Sequence, residues 1–283
     1  MTTGLCILAV MVLYVVISPK YGERLYRKKL FKDPSSTPSQ PQLVLQFSWP
    51  LKTHLAITAD DGTIMNAWYF QQETRAKTLA IYCIGRASCI SNVLDEVDRL
   101  LKCGYAVLVT EYRGFGESKG ETSLTTVCAD SLSIFDYAVE KLDYSRSEIV
   151  VFGESLGGGI ASYMSEQRQP GGLILRNTFC SLIAIGREHV PFTWIFPKFM
   201  HPAKHLNTEA VLRRWQHPVL IVHAVHDETV PYHHGVELYA AAVSPEKTFV
   251  ALGASTHRVI APSDESAFSN ALLNFRLALE ASC

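Results

Sequence analysis

The chain lacks a surplus of charge of either sign. Its 283 residues carry 26 Lys and Arg against 27 Asp and Glu, a formal net charge of −1. No cationic excess is left to neutralise phosphates, which argues against a nucleic-acid or general polyanion binder. Patterned cysteine is also missing. The seven cysteines, at positions 6, 83, 89, 103, 128, 180 and 283, are odd in number, scattered and never spaced as CxxC. Neither a disulfide framework nor a zinc site is indicated. Several lie in apolar runs, where Cys acts as a small hydrophobe, and a reducing compartment fits this usage. Internal repeats are absent, which removes solenoids and propellers. Disorder is excluded by a 48% hydrophobic composition, and the length suffices to bury a core without covalent staples.

Charge is absent from one stretch in particular. Met1 to Ser18 carries none, and Leu5–Ile17 is unbroken apolar sequence. As a helix at ~1.5 Å per residue, this segment reaches roughly 27 Å, enough for a thin bilayer. No Lys or Arg precedes it and no small-x-small cleavage site follows, so it reads as an anchor ahead of a cleaved signal or a buried core element. Lys20, Arg24, Arg27, Lys28, Lys29 and Lys32 follow. The positive-inside rule then puts the remainder on the cytoplasmic face, with the basic residues able to meet anionic headgroups. The expected organisation is an anchor over 1–19, a basic segment and Pro/Ser/Gln-rich linker over 20–42, and a folded domain over 43–283.

Within that domain, strands are expected at Leu43–Phe47 and His54–Thr58, with a hairpin at Asp61-Gly62 leading into Ile64–Phe70. Short runs without polar alternation follow: Leu79–Ile84, Tyr105–Thr110, Ile149–Gly153, Leu173–Arg176, Val219–His223 and Thr248–Leu252. Between them lie helical stripes, one capped by Ser91 and closed by Gly104, one stepping through Cys128, Leu132, Phe135, Val139 and Leu142, and a last through Phe268, Leu272, Phe275 and Leu279. Strands buried on both faces and alternating with helices imply a three-layer α/β fold, a mostly parallel eight-stranded sheet with an antiparallel start. Residues 179–216 break the alternation. Their VPFTWIFPKFMHP stretch is too apolar and Pro-rich for an ordinary crossover, and reads as a short lid over the carboxyl edge of the sheet.

The chemistry concentrates at Gly153-Glu154-Ser155-Leu156-Gly157, set between a strand and a small-residue helix start. A strand turning sharply into a helix strains its apex residue and crowds the positions two before and two after, so glycine is needed there. The apex serine is then lifted to a helix N-terminus, where backbone N–H groups can meet an oxyanion. An inert glycine-rich turn is the plain alternative. A serine nucleophile needs a base, and the base a carboxylate. Asp227 lies just past the Val219–His223 strand and His257 just past Thr248–Leu252, in the order serine, acid, histidine. Glu228 and Glu154 compete for the acid; His226, His233 and His234 compete for the base. The cluster of His223, His226, Asp227, His233 and His234 matches neither HExxH nor a zinc ribbon, so solvated loop histidines are expected before a metal, and no cofactor is implied.

DDGTIMNAWYF, EYRGFGES (111–118), GESLGGG (153–159), HDETVP (226–231) and GASTH ending at His257 together resemble the α/β-hydrolase superfamily, especially the membrane-anchored Bem46-like serine hydrolases. The resemblance covers nearly all of 43–283. It implies an esterase-, lipase- or thioesterase-like activity on a small-molecule or lipid-like acyl substrate, with Arg113 and Glu117 structural. One departure stands out: relatives carry a His-Gly-Asn-like segment where this chain has Ile84-Gly85-Arg86. The oxyanion donors are expected to be the backbone N–H groups of Arg86 and Leu156. The altered segment leaves open a catalytically silent scaffold used for membrane-associated binding, as well as a protein depalmitoylase, a peptidase, or acyl transfer to an acceptor other than water.

Overall fold

The structure is a computed structural model that describes residues 2–21, 30–31, 41–46, 48–49, 51–86, 88–190, 192–201 and 206–282. Eight strands form one sheet: β1 (Leu51–Thr58), β2 (Ile64–Gln71), β3 (Leu79–Cys83), β4 (Ala106–Thr110), β5 (Ile149–Glu154), β6 (Gly172–Arg176), β7 (Val219–Ala224) and β8 (Lys247–Leu252). Their order is β1-β2-β4-β3-β5-β6-β7-β8, antiparallel at β1/β2 and β2/β4 and parallel elsewhere. Strands β3, β4, β6 and β7 are buried at every position, as continuous apolar runs require when helices cover both faces. The chain leaves β3 toward β4 on one side and returns to β5 on the other. This reversal opens a crevice at the carboxyl ends of β3 and β5, the place where open α/β sheets bind ligands.

Among the described residues the helices with both ends placed are α1 (Thr2–Val16), α2 (Pro41–Gln46), α3 (Leu94–Lys102), α4 (Leu124–Glu140), α5 (Leu156–Arg168), α6 (Leu182–His189), α7 (Thr208–Leu212), α8 (His233–Ala241) and α9 (Pro262–Ser282). Local chemistry sets several ends. Ser123 and Thr126 exchange side-chain-to-backbone hydrogen bonds and cap α4. Gly104, with φ +87°, turns the chain out of α3 beneath the Arg276 guanidinium. Phe268, Leu272, Phe275 and Leu279 bury one face of α9.

Two local expectations are overturned. The 43–47 run is not a strand: Leu43 lies in α2, which begins at Pro41, where fixed φ suits the first helical position. Ser91 does not cap α3. It sits inside a 3-10 turn at Ile90–Asn92, and α3 starts after Val93.

The N-terminal helix is shorter than the expected span. It stops at Val16, where the Ser18 amide and hydroxyl both donate to the Val15 carbonyl, ahead of Pro19, which disfavours helix at the residue before it. Among the described residues no helix is long and apolar enough to cross a membrane. Arg24, Arg27, Lys28, Lys29, Lys32 and most of the expected linker lie outside the described residues. The 179–216 stretch holds α6, 3-10 turns at Thr193–Ile195 and Lys198–Met200, and α7, all between β6 and β7.

Candidate active site

Strand β5 ends at Glu154 and α5 begins at Leu156, so Ser155 alone makes the turn, with φ +54° and ψ −121°. That is a strained conformation for a residue with a side chain, of order 1–3 kcal/mol. The flanking glycines have no room for a side chain. A Cβ on Gly153 would lie 2.6 Å from the Ala161 Cβ and the Gly157 carbonyl, and one on Gly157 would lie 2.0 Å from the Cys83 carbonyl. The glycines therefore let α5 press onto β3 and β5. Behind the turn, Ser155 N–H donates to the Arg176 carbonyl and Thr178 Oγ1 donates to the Ser155 carbonyl at 2.7 Å.

Ser155 Oγ lies 3.1 Å from His257 Nε2, and His257 Nδ1 lies 2.7 Å from Asp227 Oδ2. All three side chains are buried. Asp227 Oδ1 accepts from the Thr229 and Val230 N–H groups at 2.8 and 2.7 Å. Burial alone would raise the Asp227 carboxyl, but the His257 hydrogen bond and charge, with the two amides, hold it below the usual carboxylate range. It is therefore ionised at neutral pH, facing the ring that shares a hydrogen bond with Ser155.

The competing residues are directed elsewhere. Glu228 accepts from the His257 backbone N–H, 3.4 Å away, and so steadies the loop rather than the ring. Glu154 is bound by Tyr82 Oη and by Arg176 Nη2. Arg176 continues to Glu96 at 2.8 Å, and Glu96 to Arg99 at 2.7 Å, a buried ionic chain beneath the turn. His226 is exposed. His223 is buried beside Asp227, Nε2 to Oδ2 3.7 Å, and hydrogen-bonds the Val230 carbonyl.

Among the described residues, two groupings bring donors together that a metal could use: Glu188, His233 and His234, and Cys180, His234 and Glu237. The donor chemistry fits poorly. His234 Nδ1 accepts the Cys180 N–H, so the neutral ring carries its proton on Nε2, facing Glu188 at 3.2 Å, and offers no lone pair there. Burial and Glu237 push the Cys180 thiol up, away from the thiolate that a metal requires.

Sequence reading passes over Asn177. Its Oδ1 accepts from Ala224 N–H at 2.8 Å and its Nδ2 donates to the His257 carbonyl at 3.0 Å, tying the end of β7 to the histidine loop. A left-handed φ of +48° in an Asn directly after a strand is the one local signal. Asp264 does similar work, accepting from Ala254 N–H, Ser255 N–H and Ser255 Oγ.

The 84–86 loop lies against the serine: a Cβ on Gly85 would sit 3.4 Å from Ser155 Cβ. Tyr112 Oη donates to the Ile84 carbonyl at 2.5 Å, holding this loop from below. Arg113 is bound by Asp130 and Asp61, and Glu111 accepts from Asn66 and the Glu117 N–H, so the 111–118 segment braces the floor. Above lies a cavity of about 370 Å³ whose walls include Arg86, Ser155, Leu156, Phe179, Ile183 and Val190.

Comparison with known proteins gives a consistent picture. The family model described as serine aminopeptidase, S33 matches residues 74–206. The alpha/beta hydrolase domain-containing protein WAV2 of Arabidopsis thaliana is 29% identical over 240 residues, covering 78% of this chain and 75% of that protein. An uncharacterized membrane protein of Saccharomyces cerevisiae is 27% identical over 213 residues, 72% of each. Among solved structures, the Pyrococcus furiosus esterase Pf2001 superposes with a TM-score of 0.68 at 17% identity, covering 85% of this chain and 94% of that one. Est1E of Butyrivibrio proteoclasticus, with ferulic acid bound, gives 0.64 at 20%, covering 80% and 99%. With its sheet order and its serine on a strand-to-helix turn, the chain has the α/β-hydrolase fold, and its sequence is similar to proteins of that family.

Proposed function

We propose that this chain is a serine hydrolase that cleaves a carboxylic ester or thioester of an acyl or lipid-like substrate through an acyl-enzyme. The observation that carries this reading is the relay from Ser155 Oγ through His257 to Asp227 at the wall of an apolar cavity. Ser155 Oγ attacks the carbonyl carbon while His257 Nε2 takes its proton, and ionised Asp227 stabilises the imidazolium. The oxyanion is met by the N–H groups of Leu156, in the first turn of α5, and Arg86. On collapse the C–O or C–S bond breaks and the imidazolium returns the proton to the leaving oxygen or sulfur. Water then attacks the acyl-serine, gives a proton to His257 and releases the acid, and Ser155 recovers its hydrogen.

The cavity favours an acyl group over a peptide N-terminus. An aminopeptidase needs a carboxylate to hold the substrate ammonium, and no Asp or Glu is among the described wall residues. A protein-bound thioester is served by the same steps. The N-terminal helix is proposed as a membrane anchor, with the basic 20–32 sequence favouring a hydrolase domain on the cytoplasmic face. The name of the yeast relative supports membrane association.

The test is labelling of the full chain by a fluorophosphonate, comparing wild type with Ser155→Ala and His257→Ala. Labelling of wild type lost in both variants is expected. A folded wild type that resists the probe overturns the hydrolase reading in favour of the silent scaffold, with 84–86 the first suspect.

A further inference from the structure

Among the described residues, exposed large apolar side chains are densest in two places that touch. Alpha-helix α1 exposes Ile7, Leu8, Val10, Met11, Val12 and Leu13, around more than one face. The 192–199 segment exposes Phe192, Trp194 and Phe199, each about two-thirds accessible at 67%, 69% and 70%. Single exposed apolar residues need no explanation, whereas a contiguous patch does. These two are contiguous. Tyr14 stacks on Phe196 at 4.9 Å between ring centroids and its hydroxyl donates to the Ile195 carbonyl at 2.7 Å. Just past the helix, Lys20 N–H donates to the Met200 carbonyl at 2.9 Å.

The same segments wall the cavity above Ser155. Pro19, which follows α1, is a wall residue, as are Thr193, between Phe192 and Trp194, and His201, two residues past Phe199. The cavity walls thus run directly into exposed aromatic side chains. Charge completes the pattern. Over 20–32 the sequence has six Lys and Arg against one acid, Glu23, and exposed Tyr21 lies beside Lys20, with the ammonium 5.4 Å from its ring centre. An apolar surface next to Tyr21 and Lys20, and followed in sequence by further cations, is complementary to a bilayer with anionic headgroups.

We propose that α1 and the aromatic 192–199 segment form one membrane-embedding surface, and that the cavity above Ser155 receives its acyl substrate from that bilayer. The delivery half rests on the reading of the site as an acyl hydrolase; the docking half does not. Trp194 and Phe199 enter the acyl region beside α1, so the 192–199 segment is a second membrane contact and not only a roof.

The test uses the full chain with phosphatidylcholine/phosphatidylserine vesicles. Lipid brominated on the acyl chains is expected to quench wild-type fluorescence, and Trp194→Phe to remove most of that quench. Phe192→Ser/Phe199→Ser is expected to lose about tenfold in cleavage of a long-chain p-nitrophenyl ester embedded in vesicles, while cleavage of soluble p-nitrophenyl acetate stays unchanged. Equal quenching in wild type and Trp194→Phe overturns the docking surface, as does a dimer in sedimentation whose Trp194 is shielded from brominated lipid. Equal loss on both esters overturns delivery from the bilayer. Quenching at Trp194 with neither ester cleaved by wild type supports docking and overturns the hydrolase reading on its own.

Discussion

At the scale of single residues, the proposed chemistry turns on the distinction between Asp227 and its neighbour Glu228. Both are carboxylates at the end of β7, but one receives the imidazole Nδ1 and the other receives only a backbone amide of the same histidine. Asp227→Asn is expected to leave the fold intact and lower kcat by about 10⁴, since an amide in that place fails to hold the reactive tautomer. Steady-state kinetics on a soluble ester check this, and Glu228→Gln changes kcat far less. That Ser155, Asp227 and His257 come together was open to sequence reading because each sits next to a strand in the expected order. Asn177 and Thr178 were not. They act on residues 80 and 23 positions away, and nothing in their neighbourhood in sequence names those partners.

At the scale of elements, the buried ionic chain joins α3, β5 and β6 directly behind the serine. Arg176 is 3% accessible and bridges two carboxylates, Glu96 and Glu154, from adjacent layers. Burial raises the Glu96 carboxyl against the opposing pull of Arg176 and Arg99. Arg176→Ala leaves like charges facing each other in the interior and is expected to cost about 3–5 kcal/mol, read from urea unfolding. Loss of the proposed activity is expected to follow, because Glu154 immediately precedes Ser155. Most strands were legible for a plain reason: an apolar run of about six residues bounded by turn residues fits a strand buried on both faces. The same rule misread 43–47, where α2 is equally short and apolar, and Pro41 rather than periodicity carries the helical signal. The end of α1 was misjudged because hydropathy continues through Ile17 while the helix yields to Ser18 and Pro19.

For the whole molecule, the titrating groups make a prediction about acid. His223, His234 and His201 all have their pKa lowered, in each case first by burial, so the folded state keeps them neutral. Unfolded, they take up protons below about pH 6.5. The unfolded chain then binds more protons, so stability is fully present above that value and falls as pH drops below it. Asp227 acts in the same direction in a lower window, its contribution present above the ordinary carboxylate range and lost as pH falls toward its depressed value. The thermal unfolding temperature is therefore expected to decline from about pH 6.5 downward in two stages. His223→Gln reduces the first stage without altering the second, which distinguishes these groups from general charge repulsion.

The backbone at Ser155 has a consequence for the history of the site. Its φ of +54° is a conformation that glycine adopts freely and serine does not. The hydroxymethyl group therefore sits against the local preference of the chain, and removing it would relax the turn while abolishing the proposed nucleophile. A lineage that had become a mere scaffold would gain stability by drifting to glycine there, with nothing to oppose the change. The serine is in this sense a standing cost, one that only the proposed attack on an acyl carbon would offset.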